Sequence, residues 1–381
     1  MLPAVDNNVY VVTSKDAIKL TIMMILSAVF FGLVGILMIV VMQFFTRQSY
    51  AQDAVNSHGV SQLGASRLGG VVVLCSVLVL MGVATSGGFF WMGQVPAHTQ
   101  LVSFFMVLAC ALLGLVEDVK NGCLSPQFRL VTTFSVVGLA VIFQSQFIPT
   151  NFGVPWLDTV MMVPVLGGLL TVIFCVGFIN AVNMADGANG LMPGVLTIAF
   201  TVFYLETGQL VLAMFMTCCG VFAIFNMISG RLFLGDAGSY GIGAIVLVKA
   251  LHLFSLNLFS APFLAVLFAY PCIDFLVTIV RRLVKGRPVF SPDNNHLHNR
   301  IHFQCLRLLP SKTLANTLTG VLIVSASSGV ALAVYLGYFA SLWPMSSALC
   351  VYIFLAQCAA YALTFYLTGR NRPVSQYVVA S

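Results

Sequence analysis

VMMVPVLGGLLTVIFCVGFI, residues 160–179, is a run of twenty residues without one charge. As a helix rising ~1.5 Å per residue it reaches about 30 Å, the thickness of a bilayer's hydrocarbon core. The run leads directly into NAVNMADGANGLMPG, residues 180–194, where Asn180, Asn183, Asp186 and Asn189 recur every third residue among glycines. A greasy helix that ends in evenly spaced polar side chains predicts a membrane span with a site at its end. The glycines predict that 180–194 is a turn between two spans, open enough for a ligand to approach the backbone.

Composition extends this reading to the whole chain. The 381 residues are 60% hydrophobic and 7% charged, with a mean hydropathy of +1.01. Soluble domains carry about 25% charged residues. Barrel strands give alternating segments of about ten residues, whereas the apolar runs here are ~18–25 residues long, the length of spanning helices. Eleven spans are expected, near 21–45, 68–92, 100–116, 128–147, 159–179, 191–206, 210–228, 238–254, 259–280, 314–339 and 343–367. The sixth to eighth are short or Gly-rich. The expected fold is therefore an all-α integral membrane protein, a single polytopic domain over 1–381 without internal repeats. The ten cysteines fall mostly inside apolar runs and read as small hydrophobes. A net charge of +6 is small for this length and gives no reason to expect a nucleic-acid partner.

Where the charges sit is more telling. Arg47, Arg67, Lys120, Arg231, Arg281, Arg282, Lys285, Arg287 and Arg300 lie in loops that follow odd-numbered spans, and Arg370 and Arg372 lie in the C-terminal tail. The positive-inside rule makes that face cytoplasmic. The N-terminus is then periplasmic and the C-terminus cytoplasmic. The polar clusters share the same face: HGVSQLGASRLGG (58–70), EDVKNG (117–122), NAVNMADGANG (180–190), RLFLGDAGS (231–239) and RRLVKGRPVFSPDNNHLHNRIH (281–302). Transporters need polar groups near the midplane and access from both sides. A site on one face suits an enzyme that meets a soluble substrate and a lipid at the interface. A transporter or lipid scramblase is the alternative.

Glu117 and Asp118 are adjacent carboxylates at the expected C-terminus of span 3, where like charge and the helix dipole both oppose them. A cation or some other partner must compensate. Asp236, between glycines in FLGDAGS, suits a helix cap or a site carboxylate. With Asn183, Asp186, Glu117 and Asp118 it offers the hard oxygens that Mg²⁺ or Mn²⁺ takes alongside substrate phosphates. The loop 281–302 offers the opposite chemistry. Arg281, Arg282, Lys285, Arg300, His296 and His298 suit phosphate oxygens, and no cysteine stands by to make the histidines a zinc site. Acidic oxygens facing a basic loop form a constellation for handling pyrophosphate. Asp274 lies inside span 9, about two turns before Arg281. It reads either as functional, the default for an intramembrane carboxylate, or as a structural partner of another helix.

NAVNMADGANGL, FLGDAGSYGIGA and RRLVKGRPVFSPDNNHLHNRI, together with EDVKNG and SRLGG, resemble the motifs of the polyprenyl-phosphate N-acetylhexosamine-1-phosphate transferase superfamily. The resemblance covers about residues 66–302, in the superfamily's order, and no CDP-alcohol phosphatidyltransferase pattern is present. It is closest in kind to the bacterial undecaprenyl-phosphate GlcNAc-1-phosphate transferases of glycosyltransferase family 4, the branch that initiates O-antigen and surface polysaccharide. The resemblance implies a Mg²⁺-dependent enzyme of the bacterial inner membrane, with its active site in cytoplasmic loops. It would transfer an N-acetylhexosamine-1-phosphate from a UDP-sugar to undecaprenyl phosphate and release UMP, an early step of lipopolysaccharide or cell wall biogenesis.

The resemblance also implies roles by position. Glu117 and Asp118 stand where the family has an Asp-Asp pair linked to the lipid phosphate. Asn183 and Asp236 look like metal positions, Asp186 a site carboxylate, and Asn189 the position near uracil. His296 and His298 look like the family's His-rich loop over the diphosphate and sugar, with Arg281, Arg282 and Lys285 holding charge beside them. Arg67 belongs to SRLGG, which resembles the family's PRxGG turn. Three letters depart from the pattern: Glu117 for Asp, Asn189 for Asp, and Asn299 for a further His. The missing longer His-rich signature argues against a MurNAc-pentapeptide translocase.

Overall fold

A computed structural model describes residues 14–47, 51, 65–86, 97–120, 122–288, 295–342 and 346–369. The Ser-Pro-Asp turn at 291–293, the first residues of the 58–70 cluster, and Arg370 and Arg372 lie outside them. The regular secondary structure among the described residues is helical, with one short 3₁₀ turn and an isolated parallel bridge between Ser66 and Leu232.

In chain order the helices are α1 (Ser14–Phe45), α2 (Gly69–Ser86), α3 (Ala97–Val119), α4 (Pro126–Phe143) and α5 (Pro155–Met161). Then come α6 (Pro164–Ala185), α7 (Leu191–Thr207), α8 (Leu210–Ser229), α9 (Gly235–Ser255) and α10 (Ala261–Leu267). The series ends with α11 (Ala269–Val284), α12 (Leu297–Leu308), α13 (Lys312–Ala326), α14 (Ser328–Phe339) and α15 (Ser347–Gly369). Among the described residues eight helices are long and apolar enough to cross a membrane, and ten spans result if each of two bent pairs counts as one. The seventeen-residue α7 is a shorter apolar helix. The protein is thus a multi-pass all-α membrane protein with eight to ten candidate spans. Its outward faces carry large apolar side chains such as Val165, Val284 and Ile142, which only lipid would solvate without penalty.

The chain starts and stops these helices by ordinary local chemistry. Ser125, Ser260 and Ser311 cap α4, α10 and α13 by accepting the amides of Phe128, Phe263 and Leu314. Pro126 and Pro164 open α4 and α6, where a missing N–H costs nothing. Gly208 and Gly230 end α7 and α8 with left-handed backbones.

Three expectations change. The polar stretch 180–194 is not one turn: α6 continues through Ala185, leaving only 186–190 as the connection. Ala181, Val182 and Ala185 are buried, so packing carries the helix four residues at a time past Asn180 and Asn183. The ninth expected span is broken by 83° between α10 and α11, and the tenth by 41° between α13 and α14. Ser327, at the second break, has a backbone that fits neither helix (φ −110, ψ −95). At the far end of the bundle, Lys249 Nζ donates to Gln209 Oε1 at 2.7 Å.

The most enclosed helix is α9, whose face against α3 is its largest contact, with α6 and α2 also against it. Glycines allow that proximity. A methyl on Gly70 would run into Gly238, one on Gly114 into the backbone of Asp236 and Ala237, and one on Gly241 into Ala111. Small residues at helix contacts are how membrane helices gain packing without a hydrophobic driving force. Gly70→Val should therefore lower the thermal midpoint in detergent, by an overpacking cost of about 1–3 kcal/mol. Gly82→Val, in the same helix but with open space around it, should leave the midpoint nearly unchanged.

Candidate active site

The end of α3 meets the beginning of α9. Asp118, 1% exposed, accepts the Asp236 amide at Oδ1 (2.9 Å) and the Ala237 amide at Oδ2 (2.7 Å). It therefore caps α9 from another helix. Negative charge at a helix N-terminus is favourable, and this is the compensation that the paired carboxylates require. Glu117 is satisfied separately: its Oε1 accepts from Gly122 N and its Oε2 from Leu124 N, both at 3.0 Å. It folds the α3–α4 loop back on itself, and its oxygens are directed to that loop.

Segment 66–70 is stitched to 231–234 by backbone hydrogen bonds. Ser66 N donates to Arg231 O, Phe233 N to Ser66 O, Gly69 N to Phe233 O and Gly70 N to Leu234 O, at 2.7–3.0 Å. This brings SRLGG to FLGDAGS. Gly235, at φ +72, sits where a Cβ would strike the Arg67 carbonyl and approach Asp118, so the turn into α9 needs glycine. The Arg67 guanidinium neighbours Asp118.

Asp236 then projects from the first turn of α9. Its Oδ2 pairs with Arg129 at 2.9 Å, and its Oδ1 accepts Asn183 Nδ2 at 2.8 Å. Asn183 Nδ2 also reaches Ser239 Oγ at 2.8 Å, while its carbonyl oxygen has no partner among the described residues. Asp186 ends α6 beside this group. Burial first, then the charges of Asp236 and Asp118, push its pKa up to about 8. The like-charge effect places three carboxylates around one spot.

Arg129 is the residue that the sequence reading missed. It lies in the first turn of α4, inside an expected span, and so escaped the count of loop cations. A charge within an apolar run was the available signal. Its Nε is buried without a hydrogen-bond partner among the described residues.

The histidines close on the same group, from the N-terminus of α12 and not from a loop reaching to 302 as expected. A methyl on Gly187 would overlap His298 Nε2, so the glycine after Asp186 is the seat of that imidazole. Burial, with His296 and His302 nearby, holds the pKa of His298 down to about 4 despite Asp274, and the ring is neutral at pH 7. His296 Nδ1 contacts Asp274 Oδ2 at 2.6 Å. Asp274 is thus a partner of the loop, joined also by the Tyr361 hydroxyl at 2.7 Å.

Not every expected residue faces the carboxylates. Arg281 donates to the Asn295 carbonyl, and Arg300 Cζ lies 3.4 Å above the Phe365 ring of α15. These cations brace the loop. Arg282 is buried, whereas Lys285 is exposed just past α11. Asn189 is 3% exposed, lies against Gly230 and Gly320, and its Oδ1 has no partner among the described residues. The structure brings together Asp118, Asn183, Asp186, Asp236 and His298, and leaves Glu117, Asn189 and Lys285 at their margins.

No group of three His, Cys, Asp or Glu among the described residues is arranged to hold a metal unaided. The donor set is still hard oxygen: Asp186, Asp236 and the open carbonyl of Asn183. Mg²⁺ characteristically takes one or two carboxylates and completes its shell with substrate phosphates and water. The Arg129 guanidinium on Asp236 shows that this carboxylate already attracts a cation.

Comparison with known proteins finds related transferases. Residues 100–254 match the model of glycosyl transferase family 4. A probable undecaprenyl-phosphate N-acetylglucosaminyl 1-phosphate transferase of Bacillus subtilis is 28% identical over 261 residues, covering 66% of this chain and 69% of the relative. A decaprenyl-phosphate N-acetylglucosaminephosphotransferase of Mycobacterium leprae is 29% identical over 272 residues, covering 62% and 66%. A phospho-N-acetylmuramoyl-pentapeptide-transferase of Anoxybacillus flavithermus is 26% identical over 266 residues, covering 66% and 79%. The matched region contains Asp118, Arg129, Asn183, Asp186 and Asp236. The chain is therefore similar to glycosyl transferase family 4 over residues 100–254, and to these sugar-phosphate transferases over a longer stretch.

Proposed function

We propose that this protein transfers an N-acetylhexosamine-1-phosphate from a UDP-sugar to undecaprenyl phosphate and releases UMP. The observation that carries the reading is the meeting of three carboxylates, Asp118, Asp186 and Asp236, with Arg129 and His298 at one end of the bundle. An oxygen of the lipid phosphate forms a bond to the β-phosphorus. The bond from that phosphorus to the bridging oxygen breaks, and UMP leaves with the oxygen and the electron pair. A phosphate monoester is largely dianionic near pH 7, so the attacking group needs orientation more than deprotonation.

Each residue then has a task. Asp118 holds the first turn of α9 and thereby aims Asp236. Asn183 fixes the rotamer of Asp236. Asp186 and Asp236, with the Asn183 carbonyl, would hold Mg²⁺, which when bound neutralises charge on the diphosphate. Arg129 offers unpaired N–H donors for a phosphoryl oxygen. His298 closes the site over Gly187. A cavity of about 730 Å³ between α11 and α15, lined by Ile273, Leu276, Val277, Phe354 and Phe365 with Arg300 among its walls, suits the isoprenoid chain of the acceptor. A bacterial inner-membrane location, a cytoplasmic active site and a place at the start of O-antigen or surface-polysaccharide synthesis complete the proposal.

Purified protein given undecaprenyl phosphate, Mg²⁺ and a panel of UDP-sugars should release UMP with one N-acetylhexosamine donor favoured. Asp236→Ala should cut the rate by about 100-fold or more, in line with losing a group that stabilises developing charge. Near-normal turnover by that variant would remove Asp236 from the site. Transport of a substrate without UMP release would favour a transporter or scramblase. Gly187→Ala should leave the fold intact and lower kcat by about 100-fold, because a misplacement near 1 Å is that costly. Unchanged kcat would mean that His298 can leave its seat without consequence.

A further inference from the structure

The rings of His296 and His298 are parallel within 2°, with centroids 5.4 Å apart. Their partners differ in kind. His296 Nδ1 lies 2.6 Å from Asp274 Oδ2 and 3.4 Å from Thr278 Oγ1. Asp274 is 1% exposed, and its Oδ1 accepts the Tyr361 hydroxyl at 2.7 Å and the Leu297 amide at 3.1 Å. An ionised carboxylate only accepts hydrogen bonds. The carboxylate therefore fixes a proton on His296 Nδ1, and in the neutral ring Nε2 keeps a lone pair.

His298 is held the other way round. Its backbone N–H donates to the Tyr270 oxygen at 3.3 Å, and the same hydroxyl lies 2.8 Å from its Nδ1. The phenol has one proton to give, and Nδ1 is the acceptor within its reach. Nδ1 of His298 is then bare and Nε2 carries the proton, since the bond at one imidazole nitrogen sets the state of the other. Neither Nε2 has a hydrogen-bond partner among the described residues.

We propose that Asp274 and Tyr270 are positioning residues that lock the two stacked histidines in opposite tautomers, so that the pair presents one N–H and one lone pair to the diphospho-sugar. This rests on the reading of the loop as a wall of the transferase site. The N–H of His298 suits a phosphoryl oxygen. The lone pair of His296 suits a hydrogen-bond donor on the sugar, a hydroxyl or amide N–H. Two imidazoles in one tautomer would offer either two donors or two acceptors, and two acceptors would repel a phosphate. Asp274 thus lets one small loop recognise both halves of a sugar phosphate.

Nitrogen-15 NMR of ring-labelled protein in nanodiscs tests this without substrate, with His296→Gln and His298→Gln assigning the signals. The wild type should show His296 protonated at Nδ1 and His298 at Nε2. Asp274→Asn should put an amide N–H against His296, drive its proton to Nε2, and lower kcat for UMP release by about 1,000-fold or more, as loss of a tautomer-setting carboxylate does elsewhere. Tyr270→Phe should alter the signals of His298 alone. Both rings in one tautomer, or an Asp274→Asn protein that keeps His296 protonated at Nδ1, would overturn the proposal. If Asp274→Asn fails to fold, the wild-type and Tyr270→Phe spectra decide it. If the wild type releases no UMP from any UDP-sugar, the transferase reading fails, while the spectra still judge the tautomers.

Discussion

The site depends on one carboxylate meeting two backbone amides. Asp118 at the end of α3 accepts from the Asp236 and Ala237 amides at the start of α9. The negative end of one helix dipole faces the positive end of another, with the Asp118 carboxyl oxygens accepting between them. Through this contact α3 fixes where α9 begins, and the start of α9 fixes where Asp236 points. The glycines at 70, 114, 235 and 238 let the elements approach closely enough for the contact to form. Without it Arg129 and Asn183 would have no fixed carboxylate to pair with.

The spans were legible because twenty uncharged residues in a row admit few other readings, and α6 and α9 lie close to where their apolar runs put them. Their ends were less legible. Helix α6 runs on through Asn180 and Asn183 because buried Ala181, Val182 and Ala185 extend its packed face. The break before Ala269 does have a sequence cause: Pro271 has no N–H for the Leu267 carbonyl four residues earlier, and Ser328 Oγ donates to that carbonyl instead. The break after Ala326 carries no proline. Within the site, Asp118, Asp186, Asp236, Asn183 and His298 could be found from their motifs. Arg129, Tyr270 and Tyr361 could not, because each lies in an apolar run where a polar atom looks incidental until its partner is known. Glu117 shows the reverse: it was legible as one of a pair, yet its oxygens serve the backbone of residues 122 and 124.

The chemistry follows from where water stops. A polyprenyl phosphate keeps its tail in lipid and its phosphate at the interface, and a nucleotide sugar arrives from water. An enzyme joining them needs an apolar flank, a cluster of hard oxygens for the metal, and donors for phosphate. On the proposed function, the exposed apolar surface of the outer helices, the three carboxylates and the Arg129 and His298 donors would supply these. The broken pair α10–α11 is part of this design, since α11 carries Asp274 and Tyr270 to the histidine loop and Arg281 beyond them.

Phosphosugar transfer is most directly tested by following the phosphorus. The purified protein would be given undecaprenyl phosphate, Mg²⁺ and UDP-N-acetylhexosamine labelled at the β-phosphate. The account predicts that the label moves into the organic-extractable lipid, one atom for each UMP formed. Label that stays with the nucleotide, or that enters water as free sugar phosphate without forming lipid product, would contradict it.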